Sequence, residues 1–578
     1  MSETGSEDSL GSRIASLVHA HFDALPPRSK PTIRPDGTRE WIPMSGIVLV
    51  EGENSPSESL TCICIATGAK CLAASQIPNC KGLVLHDWHA EVLVMRAFNY
   101  WLLSECRGLL AAEFLSSEEG EHSSRFIRFR QRSRSQASRS TNPTSNQSPD
   151  SLYPHPGPPF ELQPDVKVYM YCTCAPCGDA SMELCMAAQD DPTPWATPDI
   201  DANAHLSPDP DDPGPKPELT LLDGRAHFSR LGVVRRKPSR ADAVATKSKS
   251  CSDKLALRQV SSLLSCGSSL LVAATQNAYL EGIVLPDEEI SREGCDRAFG
   301  DGGRMGPLKG RTWGMLDHVD SRKDGQDNGS SEENGESKHD LTSHYGYYPF
   351  RILSIPNAQL HSLWPFSKNP PADNLRETGQ DGPQDQCRDQ TILRKPKPGN
   401  ISVLWIAAPS TPDAVETPSN NGAKTVPKLC GSKTGLYETI INGVKQGTKA
   451  SAPVPRGASG LSRAKLWGLQ KEIVQMLLKH SPREPGDGGG EDRSPTEHVE
   501  GAIRADDSKP EVVLQQVIEA SSYQALKRNA AVSNQSAMVR QKAIQDAKTV
   551  LMPWVPNDRD EAWGLDVLSD TGSKKRKR

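Results

Sequence analysis

The sequence predicts an α/β fold in which one folded domain is interrupted by polar inserts. Short apolar runs of strand length alternate with longer segments of helical periodicity, and stretches rich in Pro, Gly, Ser and Asp separate them. Only 36% of the 578 residues are hydrophobic, and there are 45 Gly and 46 Pro. Length alone suggests about four domains of roughly 150 residues each. The composition instead favours a single packed region with long inserts.

Apolar periodicity defines the elements in order. Strands are expected at 47–50, 61–66, 166–172, 279–285, 351–355 and 401–407. Helices are expected at 88–114, 176–188, 252–264, near 462–480 and over 511–548. The opening order of two strands, a helix, a strand and a helix predicts α/β layering.

Polar segments mark the boundaries. We expect a polar N-terminal extension over 1–39, a single domain over 40–565 and a basic tail over 566–578. Low-complexity inserts are expected at about 117–160, 190–217, 317–345, 370–400, 409–432 and 483–510. These segments are too poor in apolar residues to offset the loss of chain entropy on folding, so we expect them to be disordered.

Charge is distributed unevenly. The net charge is −5, but residues 1–10, 190–217, 317–340 and 483–510 together carry −18, which leaves +13 elsewhere. The arginines of 125–139 and the basic residues 574–578 account for 11 of those positive charges. The remaining chain is therefore nearly neutral, and any affinity for a polyanion must come from a local patch or from the basic segments.

Several protein classes are excluded. No apolar run approaches the ~20 residues of a membrane-spanning helix, so no membrane association is expected. The N-terminus, MSETGSEDSL, is polar and acidic and is unlike a secretory signal. Fourteen cysteines in a long chain without such a signal indicate reduced thiols, a few of them metal ligands.

Two motifs, each expected at a helix N-terminus, carry candidate metal chemistry. His89-Ala90-Glu91 opens the first long helix, and Pro176-Cys177-Gly178-Asp179 follows strand 166–172. A His and two Cys around Zn²⁺ leave a position open for water, and a nearby Glu that is not a ligand can move protons. This combination is typical of zinc nucleobase deaminases.

The third zinc ligand is not fixed by that signature, because Ala180 stands where a second cysteine is expected. Cys174 and Cys185 are nearby, but one lies on the strand side and the other about 12 Å along the predicted helix. Cys251, in Ser250-Cys251-Ser252-Asp253-Lys254, opens another predicted helix. Geometry favours Cys251, and the other cysteines are better explained as small buried hydrophobes.

The three motifs together resemble the adenosine-to-inosine RNA-editing deaminase family, and within it the tRNA-specific branch. The resemblance is carried by ATGAKC, HDWHAEVLVMRAF, CAPCGDASMEL, RRKPSRAD and SCSDKLAL, and it runs discontinuously from about 40 to 565. It implies a cytidine-deaminase-like α-β-α core enlarged by a C-terminal α/β region. It also implies hydrolysis of adenosine to inosine in tRNA, at the adenosine 3′ of the anticodon (position 37) of alanine tRNA.

The same resemblance implies roles for individual residues. His89, Cys177 and Cys251 would bind zinc, and Glu91 would be the catalytic proton shuttle. Asp87 and Lys237 match a relay that leads from the zinc site through Lys254. Lys70 is a candidate for contact with RNA phosphate, with the end of a strand as the plain alternative.

The family is also known for a buried inositol hexakisphosphate, which many Lys and Arg must surround. The matching positions are Arg96, Lys254, Arg463, Tyr523, Lys527 and Trp554. Two positions depart from expectation, because Met95 and Leu257 stand where basic residues are expected. Arg258, next to Leu257, is the candidate substitute.

Other functions stay open at this level. A free-nucleoside or cytosine deaminase would use similar zinc chemistry but would not need a large C-terminal region. Deamination of an RNA other than tRNA is a further alternative, as is an RNA-binding protein with a structural zinc site; the presence of Glu91 argues against the last. We expect a tRNA substrate, no obligate protein partner, and a nuclear or cytoplasmic location, the basic tail favouring the nucleus.

Overall fold

A computed structural model describes most of the segments that the sequence predicts to be folded. The described residues are 9–34, 38–115, 124–130, 157–188, 222–223, 230–237, 244–314, 345–368, 396–410, 435–479, 510–557 and 559–569. Most of each predicted insert and the tail 574–578 lie outside them. The predicted domain boundaries stay predictions.

A mixed sheet organises the described residues. In chain order its strands are β1 Met44–Glu51, β2 Ser59–Thr67, β3 Val166–Cys172, β4 Leu280–Pro286, β5 Arg351–Ile355, β6 Ser402–Ala407, β7 Gly435–Ile441 and β8 Val444–Lys445. The spatial order is β5-β4-β3-β1-β2-β6-β7-β8. The β5–β4 and β4–β3 pairs are parallel and the rest antiparallel.

The helices cover both faces of this sheet. They are α1 Leu10–Asp23, α2 Ala90–Leu115, α3 Met182–Ala187, α4 Cys251–Ser261, α5 Arg292–Phe299, α6 Asn357–Leu363, α7 Arg463–Lys479, α8 Pro510–Glu519, α9 Tyr523–Ser533 and α10 Gln535–Val550. No described helix has both the length and the apolar character needed to cross a membrane.

The core lies in two layers. On one face α2 packs against β1 and β2, and its residues from Leu93 to Leu102 are apolar nearly all round, as expected of a buried helix. On the other face α1 packs against the sheet through Ile14, Val18 and Phe22. The predicted polar extension 1–39 thus contains an amphipathic helix that covers one side of the sheet.

Three other local predictions need correction. The helix expected over 176–188 begins later, as a 3-10 turn at Asp179–Ser181 followed by α3. The segment 511–548 is three helices rather than one. Within the predicted insert 117–160, Ile127–Phe129 pairs with Phe160–Leu162, because Phe126, Ile127 and Phe160 are apolar enough to be buried.

Candidate active site

The loop Pro176–Gly178 and the start of α4 are held together by close backbone packing. Ser250 caps α4 by accepting a hydrogen bond from Asp253 N–H at 3.1 Å. Gly178 has φ +110°, and a Cβ there would lie 2.2 Å from Ser250 Oγ. Only glycine allows this approach without strain. The helix cap and the glycine therefore set the position of Cys177 relative to Cys251.

The two thiols meet at this junction. The backbone N–H of Cys251 donates to Cys177 Sγ at 3.4 Å, and Ser252 N–H donates to the carbonyl of Cys177 at 3.0 Å. The pKa of Cys177 is held well below its usual value, first by hydrogen bonding from the Cys251 thiol and then by the charge of Lys237. The contacts of this pair thus favour a negative charge on the partly buried Cys177 sulfur. The sequence prediction placed Cys177 in the first turn of a helix, but it precedes the helix.

His89 is oriented by groups on its Nδ1 side. The Nδ1 atom lies 3.0 Å from Asp87 Oδ1 and 3.1 Å from the carbonyl oxygen of Lys70. Both neighbours are acceptors, so Nδ1 carries the proton and Nε2 keeps its lone pair. This arrangement leaves Nε2 as the atom that can bind a metal.

A buried ionic relay joins His89 to Cys251. Lys237 Nζ donates to Asp87 Oδ2 at 2.9 Å and to Cys251 Sγ at 3.2 Å. Lys254 and Ser248 also donate to Asp87 Oδ2. Burial opposes the charge of Asp87, but Lys237 and Lys254 hold its pKa well below the usual range. The sequence-predicted relay residues Asp87, Lys237 and Lys254 are thus in direct contact.

Glu91 lies in the first turn of α2 and is 5% exposed. Among the described residues, nothing hydrogen-bonds its Oε2 atom. Burial raises the pKa of Glu91, and the charge of Cys177 adds to this effect. A buried carboxyl with a raised pKa and an unpartnered oxygen is suited to proton transfer.

A pocket of about 690 Å³ lies beside this site. Its wall includes His89, Cys177, Lys237 and Lys70. The Lys70 ammonium also contacts Asn400 Oδ1, and burial lowers its pKa. The volume is in the range of small-molecule sites. Arg235, Arg236, Asn442 and Lys449 also line this pocket and were not among the predicted site residues.

The donor set fits a zinc ion by its chemistry. Two thiols in contact, an imidazole with a free Nε2 and an unpartnered carboxylate oxygen are the groups that a zinc deaminase site requires. Within the described part of the chain, the metal-binding atoms of His89, Cys177 and Cys251 do not all lie within 4.8 Å of one another.

A second cavity, of about 340 Å³, lies on the far side of Asp87. Cationic side chains dominate its wall: Arg96, Lys247, Lys249, Lys254, Arg258 and Arg463. Asp87 is the one carboxylate in the wall among the described residues. Met95 and Leu257 also line it, and Arg258 supplies the neighbouring guanidinium as expected.

These cations depress one another's affinity for protons. Burial, with the charge of Arg463, lowers the pKa of Arg96 to about 10. Burial, with the charges of Arg540 and Arg96, lowers the pKa of Arg258 to about 9. Burial, with the charge of Lys254, lowers the pKa of Lys249 to about 8. The cavity is therefore electrostatically poised for an anion.

The remaining predicted contacts lie close by. Trp554 lines the same cavity, with Lys249 Nζ 5.5 Å from its ring centre. Tyr523 and Lys527 line a small adjoining cavity of about 80 Å³, together with Arg96 and Arg463. Tyr523 stacks on Trp563, and Lys527 pairs with Glu561 at 2.6 Å. Lys247 and Lys249 were not among the predicted contacts, although two lysines alternating with serine just before the SCSDK motif indicate a basic segment.

Comparison with known proteins agrees with this architecture. Residues 64–308 match the family described as the adenosine-deaminase (editase) domain, and the mixed sheet with its helices agrees with the cytidine-deaminase-like fold that the resemblance implies. The expected resemblance to tRNA-specific adenosine deaminase 1 is also confirmed. The proteins of that name from Schizosaccharomyces pombe and Saccharomyces cerevisiae are 33% and 30% identical over 300 and 295 residues.

These matches cover only part of each protein. They include 52% and 51% of this chain, and the chain spans about 63% of the length of both yeast relatives. A mouse protein named double-stranded RNA-specific editase B2 is 25% identical over 137 residues, which is 24% of this chain and 14% of that protein.

Proposed function

We propose that this chain is a zinc-dependent deaminase that hydrolyses adenosine to inosine in tRNA. The observation that carries the proposal is the buried carboxyl of Glu91, whose Oε2 is unpartnered within the described chain, beside a thiol pair and an imidazole with a free Nε2. The tRNA-specific relatives support the substrate class. The finer assignment, to the adenosine 3′ of the anticodon in alanine tRNA, rests on the family resemblance.

His89, Cys177 and Cys251 are the residues that would hold the ion. A bound Zn²⁺ supplies the Lewis acidity that makes water a nucleophile at neutral pH. The water oxygen forms a bond to C6 of adenine, the C6–N bond breaks, and ammonia leaves. Glu91 takes the proton that the water loses and delivers it to the departing amine.

The other residues hold this arrangement. Asp87 fixes the tautomer of His89, and Lys237 pairs with Asp87 and donates a hydrogen bond to Cys251 Sγ. The target adenosine must leave its stack to enter the pocket, which costs less in a loop than in a duplex. Lys70 at the pocket wall is positioned to contact an RNA phosphate.

We infer that the cationic cavity binds inositol hexakisphosphate. Burial, and after it the charges of neighbouring cations, lowers the pKa values of Arg96, Arg258 and Lys249, and a polyanion would offset both effects. Arg96, Lys254, Arg463, Tyr523, Lys527 and Trp554 would surround it.

We also propose a nuclear location, which the basic residues 574–578 favour. Deleting these residues from a fluorescent fusion of the chain tests this location.

The decisive experiment is incubation of the purified, zinc-loaded chain with an alanine tRNA transcript, followed by sequencing for inosine. We expect inosine at the position 3′ of the anticodon. Inosine only elsewhere would support an adenosine deaminase with a different RNA target. Zinc bound without inosine in any RNA offered would overturn the enzymatic proposal in favour of an RNA-binding protein with a structural metal.

A further inference from the structure

Cys80, His86 and Asp560 form a second cluster of metal-binding groups. One ligand atom of each lies within 4.8 Å of the other two. Cys80 and Asp560 are buried at 1% and 3% exposure, and His86 is partly buried. None of the three belongs to the zinc set proposed above. A thiol, an imidazole and a carboxylate are the donors that zinc and related divalent ions bind in proteins.

The cluster joins distant parts of the chain. Cys80 and His86 lie in the loop that leads into α2, whereas Asp560 belongs to the C-terminal segment. Asp560 Oδ1 accepts a hydrogen bond from Gly82 N–H at 2.9 Å. Gly82 has φ +66°, and a Cβ there would lie 2.1 Å from the ring of Trp563. The backbone of the loop is thus pressed against the C-terminal segment, which brings the three side chains together.

Both ring nitrogens of His86 lie within hydrogen-bond distance of polar side chains. His86 Nε2 is 2.8 Å from Asp560 Oδ2, and His86 Nδ1 is 3.4 Å from Asn557 Nδ2. Asn557 Oδ1 is buried and has no hydrogen-bond partner in the described chain. Turning the Asn557 amide by 180° places Oδ1 as acceptor for an Nδ1–H donor, since the two amide atoms have the same shape.

The turned Asn557 amide changes the role of His86 Nε2. With the proton on Nδ1, the Nε2 lone pair faces the Asp560 carboxylate, and a bound cation would then take the place of the Nε2–H hydrogen bond. Arg463 also contacts Asp560, with Nη1 3.4 Å from Oδ2 and 3.0 Å from the main-chain oxygen. A carboxylate oxygen has two lone pairs, so the guanidinium does not exclude a metal.

We propose that Cys80, His86 and Asp560 bind a divalent metal ion of the zinc class. Three protein ligands leave one coordination position for water. The ion links residues 559–569 to the loop that carries Asp87 and His89. It therefore stabilises the loop that leads into α2, although the ion itself lies outside the catalytic pocket. Because binding occurs in the folded chain alone, metal removal lowers stability.

The metal content of the full chain tests this proposal. After equilibration with buffered zinc and desalting, mass spectrometry of the metal should find about two zinc ions per chain, one for each proposed site. Asp560→Asn should retain about one of them, and Cys177→Ser should lose the other. Cys295→Ser, at a buried thiol in α5, is the matched control and should retain both.

A cobalt titration isolates the cluster. In a chain carrying both Cys177→Ser and Cys251→Ser, Co²⁺ should still give a thiolate charge-transfer band, and a further Cys80→Ser should abolish it. A folded double variant without that band would overturn the proposal. If the double variant does not fold, the zinc content decides alone: zinc lost from Cys177→Ser but unchanged in Asp560→Asn would overturn the second site and leave the proposed function standing.

Discussion

Replacing Asp87 by Asn tests whether the buried relay holds both the fold and the metal ligands. The carboxylate accepts from Lys237 at 2.9 Å, from His89 N–H and Nδ1 at 3.0 Å each, and from Lys254 and Ser248. In Asp87→Asn the amide NH₂ group must face either Lys237 or His89, and both are donors. Lys237, 3% exposed, loses its nearest counter-ion.

The magnitude follows from that loss. Removing one partner of a buried ion pair costs about 3–5 kcal/mol, because the other charge stays buried without compensation. Loss of a group that orients a metal-binding histidine weakens metal affinity by roughly 10- to 100-fold. We therefore expect Asp87→Asn to lower the free energy of unfolding by about 3–5 kcal/mol and to weaken zinc binding within that range.

Urea unfolding and zinc competition against a chromophoric chelator measure the two effects. The matched control is Glu438→Gln, whose buried carboxylate also accepts from a lysine, a hydroxyl and a backbone N–H, at Lys445, Ser459 and Gly460. This control should lose stability but keep zinc affinity. An Asp87→Asn chain that unfolds within about 1 kcal/mol of the wild type and keeps its zinc affinity would refute the reasoning.

Three further changes probe other parts of the molecule. Glu91→Gln should reduce the rate of inosine formation by at least about 100-fold while zinc content stays unchanged, and loss of zinc would instead make Glu91 a ligand. Inositol hexakisphosphate at about 100 times its dissociation constant should stabilise anion-free protein by about 2.7 kcal/mol in thermal unfolding, and Arg258→Met should weaken this effect. Burial raises the pKa of Glu105 to about 7, so stability should fall as pH rises from about 4.5 to 7 by up to about 3 kcal/mol. Glu105→Gln should remove that slope in unfolding curves taken across this range, because the folded state then no longer binds the extra proton.

The elements and the catalytic motifs were largely predictable from local pattern. Strand 166–172 has the predicted bounds, and β1, β2 and α4 differ by a few residues at their ends. His89 and Cys177 line one pocket and Cys251 contacts Cys177, because each lies beside a helix start, and such positions carry strong sequence signals. The late start of the helix after Cys177 was not predictable, because close packing of Gly178 on Ser250 holds that loop extended.

The cationic cavity was only partly predictable, because its members come from distant segments. Arg96 and Lys254 are adjacent to the metal motifs, but Arg463 comes from α7, and Arg258 is reached by Arg540 of α10, outside the cavity wall, as both donate to the carbonyl of Leu264. No periodicity signals such a meeting. The helix α1 was missed although its apolar residues recur at four-residue spacing, at Leu10, Ile14, Val18 and Phe22, a pattern that predicts the apolar face packed on the sheet.

The nearly neutral charge of the folded region is consistent with an enzyme that acts on RNA once the location of each charge is considered. Arg125 and Arg128 belong to the basic segment 125–139. They pair with Glu51 and Glu161, respectively, at 2.8 Å. Six cations surround the internal cavity with one carboxylate among them in the described wall. Much of the positive charge of the described residues therefore lies around the internal cavity. The ion pair of Lys254 with Asp87 links this cavity to the candidate active site. We therefore expect any affinity for tRNA to come from the few basic groups at the pocket mouth, such as Lys70 and Lys449, and from the basic segments outside the described residues, with a salt dependence that grows with the number of phosphates they neutralise.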